Sequence, residues 1–366
     1  MAWRFEVWST WPAVWSERNQ AVWRELFAAD PDAHVYQRPE VVRAWAETRG
    51  RAVAARPAVA LATHGSGTRA LLPWVVVRHR GSRISRRILE PAGQSLFGYH
   101  DPLVAGPPLP ASAWADFWEA ARRKLSGACD QALFRFVHPR CGQGPRSLPC
   151  SDASPVLDLA GFEDFDALLA ACSANHRGDV RRRLRRLDER GTAGLWAPGA
   201  AEADAALADF RAGFLPAYHA AHANKEDGQP DLLQIPGVED FAIRLLREGL
   251  PGGWAHYSAL RVDGQAVAWH LGLLDRGDLY WWLPTYDPAW ESFSPGKALL
   301  ARLLEHGLRH GTAQGLRRVH FLTGGQPYKL AWKPDLPELR TVRWHSPSLR
   351  GHLLALYDRR AAPGPR

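Results

Sequence analysis

The order of motifs between residues 278 and 332 constrains the fold of this chain more than any other feature. An aromatic strand pattern at 278–286 is followed by Ser294-Pro295-Gly296, by an amphipathic helix, and by a second strand that leads to Tyr328. The first backbone N–H groups of a helix have no partner within it, and the helix dipole adds partial positive charge there. The pattern therefore predicts a helix start that binds phosphate, with a phenol close by.

Length and composition indicate a folded chain of two domains. The chain has 366 residues, about twice the length of a usual domain. Its hydrophobic content of 46% and its 17 Trp exclude bulk disorder. No stretch reaches the roughly 20 apolar residues of a membrane span, and the start does not resemble a signal peptide, so we expect a cytoplasmic protein without membrane insertion. The four cysteines lack CxxC spacing, so we expect no metal site.

The net charge of +8 is concentrated in one segment. Between His176 and Arg190 there are seven Arg against three acidic residues. Val180, Leu184 and Leu187 recur at helical spacing, so the segment is predicted to be an amphipathic basic helix. Two interpretations remain open. The arginines are solvated on a surface helix, or they contact phosphate in a nucleotide donor, an anionic acceptor or tRNA.

The chain is predicted to divide into residues 1–150 and 151–366. The first part mixes helical and strand patterns, including a strand at 52–63, and it ends in a Pro, Gly, Ser and Cys-rich stretch at 139–155 that is typical of a linker. Three strand patterns follow one another in the second part, at 253–262, 265–274 and 278–286. Asp263-Gly264 is a typical hairpin turn, so these strands are predicted to form an antiparallel meander.

Several pieces of sequence carry a family resemblance. They are the aromatic strand Tyr280–Tyr286, Ser294-Pro295-Gly296, the strand Val319–Thr323, the run Gly324–Trp332 with Tyr328-Lys329 inside it, and, more loosely, QRPEVVRAW at 37–45, Leu72-Pro73, Tyr99-His100-Asp101-Pro102 and 175–191. In this order they resemble the GNAT-type acyltransferases, and within them the CelD/BcsL-like family, which is related to the Fem-type peptidyltransferases. The resemblance implies an α+β fold of two GNAT-like domains, each with a mixed, mostly antiparallel sheet flanked by helices. It also implies that the first domain is degenerate and that the second binds acyl-CoA.

The donor that the resemblance implies is acetyl-CoA or another acyl-CoA, with no metal. Its phosphates are expected at the helix start, on Ser294, Pro295, Gly296, Lys297 and Ala298. A cation at Lys297 opposes the positive end of the helix dipole, and that cost disappears if an anion binds there. The resemblance also implies that the strands separate near Leu283–Tyr286, where a backbone N–H would support the developing oxyanion. Lys329 is expected either at a donor phosphate or in solvent.

Tyr328 is the predicted general acid, because a neutral phenol can protonate the thiolate that leaves a thioester. An amine nucleophile must lose a proton, and four side chains remain open as its base: His270, Asp287, Glu291 and His320. His270 lies within a strand pattern, where a buried structural histidine is the alternative. The acceptor is expected to contact Asp287 and the polar loop of Tyr99, His100 and Asp101. An ordinary structured loop is the alternative there.

The main functional prediction is an N-acyltransferase. It would move an acyl group from acyl-CoA to an amine of a small molecule or of a cell-envelope or polysaccharide-related acceptor. The first alternative keeps the fold but takes aminoacyl-tRNA as donor, as Fem-type enzymes do, with the basic helix at Arg181–Arg186 on the tRNA. The second is a non-catalytic scaffold, because relatives commonly carry acidic residues where this chain has His320 and Gln326. The sequence does not indicate an oligomeric state.

Overall fold

The computed structural model describes residues 2–80, 84–94, 96–144, 146–223, 231–309 and 315–361. The chain forms two compact units. Unit 1 comprises Met1–Ser151 and Glu338–Arg366, and unit 2 is the continuous stretch Asp152–Pro337. The division expected from the sequence assigns everything after residue 150 to the second domain. The structure instead places the segment from Glu338 in unit 1, because the strand Arg340–His345 pairs with two strands of that unit.

Sixteen strands and twelve α-helices lie in the described ranges. The strands are β1 (Trp3–Trp8), β2 (Arg56–Pro57), β3 (Val59–His64), β4 (Arg69–Leu72), β5 (Trp74–Arg80), β6 (Ser85–Pro91), β7 (Leu103–Ala105), β8 (Gln131–Val137), β9 (Ser147–Pro149), β10 (Val156–Asp158), β11 (Ala193–Trp196), β12 (Ala255–Val262), β13 (Gln265–Asp275), β14 (Asp278–Tyr286), β15 (Arg318–His320) and β16 (Arg340–His345). The helices are α1 (Trp11–Val14), α2 (Glu17–Ala29), α3 (Pro39–Trp45), α4 (Ala111–Lys124), α5 (Phe165–Ala171), α6 (Ala174–Asp188), α7 (Ala203–Asp209), α8 (Leu215–Ala223), α9 (Val238–Arg244), α10 (Pro295–Arg309), α11 (Pro327–Leu330) and α12 (Leu349–Ala361). Within the same ranges, no helix has the length and apolar character needed to cross a bilayer.

Unit 1 contains two sheets, with the strand orders β1-β3-β4-β7 and β2-β5-β6-β8-β16-β9. Neighbouring strands are antiparallel except for β6 and β8, which run parallel. Helix α4 packs Trp114, Phe117 and Trp118 into a core that also contains Trp74 and Trp344. Because large aromatic side chains bury much area each, this core fixes β16 in the sheet although it is distant in sequence.

Unit 2 is built on a six-stranded sheet with the order β10-β15-β14-β13-β12-β11. The meander of β12, β13 and β14 that the sequence predicts is confirmed. Neighbouring strands of the sheet are antiparallel except for β14 and β15, which are parallel. The predicted α+β fold, with mixed, mostly antiparallel sheets flanked by helices, is therefore confirmed.

Both hairpins of the meander turn on two residues with positive φ. The values are 47° at Asp263 and 82° at Gly264, and 50° at Arg276 and 82° at Gly277. Two consecutive positive φ values give a turn whose twist matches that of the strands it joins. The Asp263-Gly264 turn is confirmed as predicted. The second turn has a weaker sequence signal because Arg276 is not a residue that favours this conformation.

Helix α10 is anchored on the sheet of unit 2 by its apolar side. Its buried leucines are Leu299, Leu300, Leu303 and Leu304. They belong to the core that also contains Val267 of β13 and Leu279 of β14. Each buried leucine stabilises the fold by about 1.5–3 kcal/mol. The position of the first turn of α10 is therefore set by the core rather than by the loop that precedes it.

One strand prediction is wrong at its start. The helix that begins at Pro39 continues through a π-helical turn at Ala46–Gly50 and ends beyond it, so residues 52–55 are not extended. The strands that follow begin at Arg56 and Val59.

Candidate active site

The first turn of α10 is open on one side. Ser294 has a left-handed backbone, with φ 52° and ψ 53°. Its carbonyl accepts hydrogen bonds from the N–H groups of Lys297 at 3.1 Å and Ala298 at 3.3 Å. These two N–H groups are therefore not open to a phosphate, although the sequence predicts phosphate along the whole of Ser294–Ala298. Among the described residues the N–H of Gly296 has no acceptor, and a Cβ there would meet only Tyr286, at 3.7 Å. The helix start therefore presents one N–H and its dipole to an anion.

Strands β14 and β15 separate soon after they begin. They pair at three positions, of which the last joins Tyr280 to His320. Strand β14 continues to Tyr286 along β13, whereas β15 ends at His320. Leu283 lies in this continuing part and pairs with Leu271 on the other side. The edge of β14 that faces away from β13 is thus not covered by β15 near Leu283.

A cavity of about 180 Å³ lies between α6, α10 and α11. Its lining residues come from the three helices and from the two residues that follow α11: His176, Asp179, Val180, Arg183, Lys297, Ala298, Leu300, Ala301, Pro327, Tyr328, Ala331 and Trp332. The sequence suggested three features separately: the basic helix, the start of α10 and Tyr328. All three line this cavity.

The charged groups of the cavity leave it positive. Nε of Arg183 donates to Asp179 at 2.7 Å, and Lys297 adds a second cation. Burial raises the pKa of Asp179, but the hydrogen bond from Arg183 and the surrounding cations outweigh burial and hold this pKa below its usual value. Asp179 is therefore ionised at neutral pH, and the two cations exceed it by one charge. The cavity attracts an anion.

His176 lines the cavity although the sequence does not single it out. Its ring lies edge-on to Trp332, with centroids 4.6 Å apart and an angle of 84° between the planes. Nε2 is buried and has no hydrogen-bond partner among the described residues. Burial lowers the pKa of His176, so the ring is neutral at pH 7 and can accept a proton. The signal that could have found it is spacing, because His176 precedes Val180 by four residues on the same side of α6.

Tyr328 presents a neutral phenol to the cavity. Burial raises its pKa to about 12, with a smaller opposing effect from the neighbouring Trp281. The hydroxyl therefore keeps its proton throughout the physiological pH range and can act as a hydrogen-bond donor.

Lys329, the next residue, does not line the cavity. Its side chain is buried, and Nζ donates to the carbonyl oxygens of Thr323 at 2.9 Å and Gly324 at 3.4 Å. Burial lowers its pKa to about 8. The expectation that Lys329 meets donor phosphate or lies in solvent does not match this placement. Its amine instead holds the loop between β15 and α11.

The two strand histidines lie away from the cavity. His270 is fully buried, stacks on Trp281 with centroids 4.0 Å apart, and has a pKa well below its ordinary value because of burial. His320 stacks on Tyr280, and its Nε2 is 3.4 Å from Asp278. Since Phe321, the next residue, lies in the core under α10, His320 faces the other side of the sheet. Neither ring lines the cavity that contains Tyr328.

The remaining candidates are engaged in local structure. Asp287 accepts the N–H of Ala289 at 3.0 Å and caps the turn Pro288–Phe293, and Glu291 accepts the hydroxyl of Tyr286 at 3.2 Å. In unit 1, Tyr99, His100 and Asp101 are all buried. Nδ1 of His100 donates to the carbonyl of Arg135 at 2.7 Å, and Asp101 accepts the N–H of His138. These contacts match the alternative of an ordinary structured loop.

Comparison with known proteins shows which family the region around this cavity resembles. Residues 174–330 match the model of the acetyltransferase (GNAT) domain family. No curated protein sequence matches the chain. The crystal structure of FemX is similar, with a TM-score of 0.58 and 9% identity over 92% of this chain and 98% of that one. So is the C-terminal domain of a putative lysylphosphatidylglycerol synthetase from Agrobacterium fabrum, with a TM-score of 0.53 and 14% identity over 93% of this chain and 97% of that one. A conserved protein of unknown function from Bacteroides thetaiotaomicron is also similar, with a TM-score of 0.51 and 10% identity over 88% of this chain and 96% of that one. These structural likenesses show the fold.

Residues 174–330 form an acyltransferase domain of the GNAT type. The family match begins at the first residue of α6 and ends at the last residue of α11, so it includes all three helices around the cavity. Domains of this family in general use an acyl-CoA co-substrate. In the parts of the chain that the structure describes, no group of His, Cys, Asp and Glu side chains is arranged to hold a metal ion.

Proposed function

We propose that the protein is a CelD/BcsL-like N-acyltransferase that moves an acyl group, with acetyl as the first choice, from acyl-CoA to an amine. One observation carries the proposal. The start of α10, the cations Arg183 and Lys297, and the phenol of Tyr328 line a single cavity. A donor with a pyrophosphate at one end and a thioester at the other needs this combination of groups.

The donor phosphates are assigned to the start of α10. Gly296 offers a backbone N–H with open space around it, and Lys297 and Arg183 supply two cations. A pyrophosphate removes the unfavourable meeting of the Lys297 cation with the helix dipole. The side chain of Arg183 is only 20% exposed, so it is turned toward the cavity rather than solvated like most arginines of α6. Its planar guanidinium suits phosphate oxygens.

The reacting end is assigned to Tyr328 and His176. The amine must lose a proton as it attacks the thioester carbonyl, and the neutral His176 is the imidazole that lines this cavity. The sulfur leaves with negative charge, which the hydroxyl of Tyr328 stabilises by donating a hydrogen bond. The uncovered edge of β14 near Leu283 is where backbone N–H groups are available to the carbonyl oxygen. The acceptor is proposed to be a small molecule or a cell-envelope-related amine.

The aminoacyl-tRNA alternative has weaker support from the structure. The exposed arginines of α6 are Arg181, Arg182, Arg185 and Arg186. The first three pair with the carboxylates of Asp166, Asp179 and Glu189 respectively, and the guanidinium of Arg186 lies over the ring of Phe293, 5.1 Å from its centroid. Paired arginines offer less net charge to a polyanion. The similarity to FemX shows a shared fold and does not decide the donor.

Calorimetry with CoA on the full chain tests the donor assignment. We expect saturable binding at one site, and we expect Gly296→Asp to weaken it at least tenfold. An acidic residue in the first turn stabilises a helix, so this variant should fold at least as well as the wild type while repelling phosphate. Gly296→Ala is the matched control, because its Cβ meets one atom at an ordinary 3.7 Å.

The outcomes separate the three functions. Absent CoA binding, or equal binding by the Asp and Ala variants, would refute the acyl-CoA assignment. Binding of charged tRNA with a steep salt dependence would then favour the Fem-like function. Normal CoA binding without transfer to any of a panel of amines would favour a scaffold.

A further inference from the structure

A second cavity, of about 530 Å³, lies in unit 1 and is lined by three arginines. They are Arg56 of β2, Arg78 of β5 and Arg87 of β6, and the wall between them is formed by Ala52–Ala54 and Val76. We propose that this cavity binds a small molecule that carries a diphosphate group. The site belongs to a unit that has no assigned role, and the proposal does not depend on the donor assignment in unit 2.

The register of the sheet places the three arginines on one face. Arg56 pairs directly with Val76, and Arg78 pairs directly with Arg87. Directly paired residues of antiparallel strands point to the same side, and so do residues two apart along a strand. Three guanidinium groups from three neighbouring strands therefore converge on the same concave surface. Like charges opposite each other destabilise a sheet, and an anion bound between Arg78 and Arg87 would relieve this repulsion.

The local carboxylate does not neutralise the cluster. Asp130 is fully buried and accepts from Nη2 of Arg87 at 2.8 Å, while Nε of Arg350 lies 3.2 Å from the same carboxylate. Nη1 of Arg87 donates to the carbonyl of Gly127 at 3.0 Å. In the parts of the chain that the structure describes, Arg56 and Arg78 pair with no carboxylate. Of the three arginines that line the cavity, only Arg87 is thus paired with a carboxylate.

The arrangement suits a compact, highly charged anion. Arg87 is fixed by Asp130 and Gly127, and its position is therefore set before a ligand binds. Arg56 and Arg78 are exposed and can close on a ligand from two sides. The three lining arginines less the carboxylate of Asp130 leave an excess of two positive charges. Guanidinium groups bind phosphate oxygens in pairs, so three of them suit a diphosphate, which offers more oxygens than a single phosphate or a carboxylate.

The shape of the cavity favours a small molecule over a nucleic acid. Its volume falls within the range of about 300–1,000 Å³ that is usual for small-ligand sites. Among the described residues, its wall is made of alanine and valine side chains and offers no aromatic ring on which bases could stack. A single-stranded nucleic acid would need such rings along a groove.

Titration of the full chain with inorganic pyrophosphate tests the proposal. It is carried out by calorimetry at constant ionic strength in a Lys297→Gln background, so that pyrophosphate binding in the cavity of unit 2 contributes less to the measured heat. We expect saturable one-to-one binding that weakens at least tenfold in the double variant Arg56→Gln with Arg78→Gln. The matched control is Arg123→Gln with Lys124→Gln, which removes two exposed cations from the end of α4 and should leave the affinity unchanged.

The result is read together with CoA binding and thermal unfolding of the same variants. The proposal requires that the Arg56 and Arg78 double variant keeps its melting temperature and its affinity for CoA while it loses pyrophosphate. An equal loss in both double variants would show a general charge effect and would overturn the site. Absence of saturable pyrophosphate binding would overturn it as well, including the case in which heparin or RNA binds with a steep salt dependence, because the ligand would then be a polymer. A loss of CoA binding in Gly296→Asp alone would concern unit 2 and would leave this proposal standing.

Discussion

Replacing Tyr328 by Phe should slow acyl transfer by about 10- to 150-fold, which is the effect of losing one hydrogen bond of roughly 1.5–3 kcal/mol to a charged group. The substitution removes one oxygen and keeps the ring that lines the cavity, so the affinity for CoA should remain nearly the same. The predicted effect is therefore on the rate of transfer rather than on binding.

The magnitude follows from the pKa of the phenol. Burial raises the pKa of Tyr328 to about 12, whereas a thiol titrates near ~8.5. Complete transfer of the proton from the phenol to the thiolate would cost ~5 kcal/mol, at about 1.36 kcal/mol per pKa unit. The hydroxyl therefore stabilises the leaving sulfur as a hydrogen-bond donor and keeps its proton. We therefore propose hydrogen-bond donation as the role of Tyr328, whereas the sequence predicts a general acid.

The assay compares two leaving groups. Thiol release is followed from acetyl-CoA and from a thiophenyl thioester, each with a simple alkyl amine at high concentration. Because a more acidic thiol needs less stabilisation as it leaves, the loss caused by Tyr328→Phe should shrink to a few-fold with the second substrate. Tyr286→Phe is the matched control, since that hydroxyl bonds to Glu291. Equal losses with both thioesters, or no loss with acetyl-CoA, would refute the assignment.

Two further predictions concern stability. Burial lowers the pKa of His100 from 6.5 to about 4, so the unfolded chain binds this proton more tightly, and the free energy of unfolding should fall by about 3 kcal/mol as the pH drops from 6.5 to 4. Urea unfolding at several pH values measures this, and His100→Gln should flatten the dependence; an unchanged slope would contradict the argument. At Gly272 a Cβ would lie 2.3 Å from the carbonyl oxygen of Tyr280, so Gly272→Ala should cost ~1–3 kcal/mol. Gly194→Ala, which meets no atom within 4 Å, should melt near the wild-type temperature, and equal losses in both variants would show that crowding is not the cause.

Local patterns in the sequence predict much of unit 2. The Asp263-Gly264 turn, the meander and helix α10 each depend on residues close together in the chain, and the structure has all three. The separation of β14 from β15 was an expectation from the family resemblance, and the pairing of the two strands does end at Tyr280 and His320.

What the sequence could not predict depends on contacts between distant residues. His176 reaches the cavity because α6 packs against α10, and a pattern read along one helix does not reveal its neighbour. His270 alternates with apolar residues, and the stacked Trp281 shows that it lies on the core side. Strand β16 joins β8 across about two hundred residues, which no local signal specifies.

The return of the chain to unit 1 sets an order of folding during synthesis. Strand β16 occupies an inner position between β8 and β9, so the larger sheet of unit 1 has a gap until residues 340–345 leave the ribosome. Unit 2, which is continuous, is made entirely before that moment. Unit 2 can thus close its core before the last strand of unit 1 has been synthesised. This is the reverse of the usual order, in which N-terminal domains fold first.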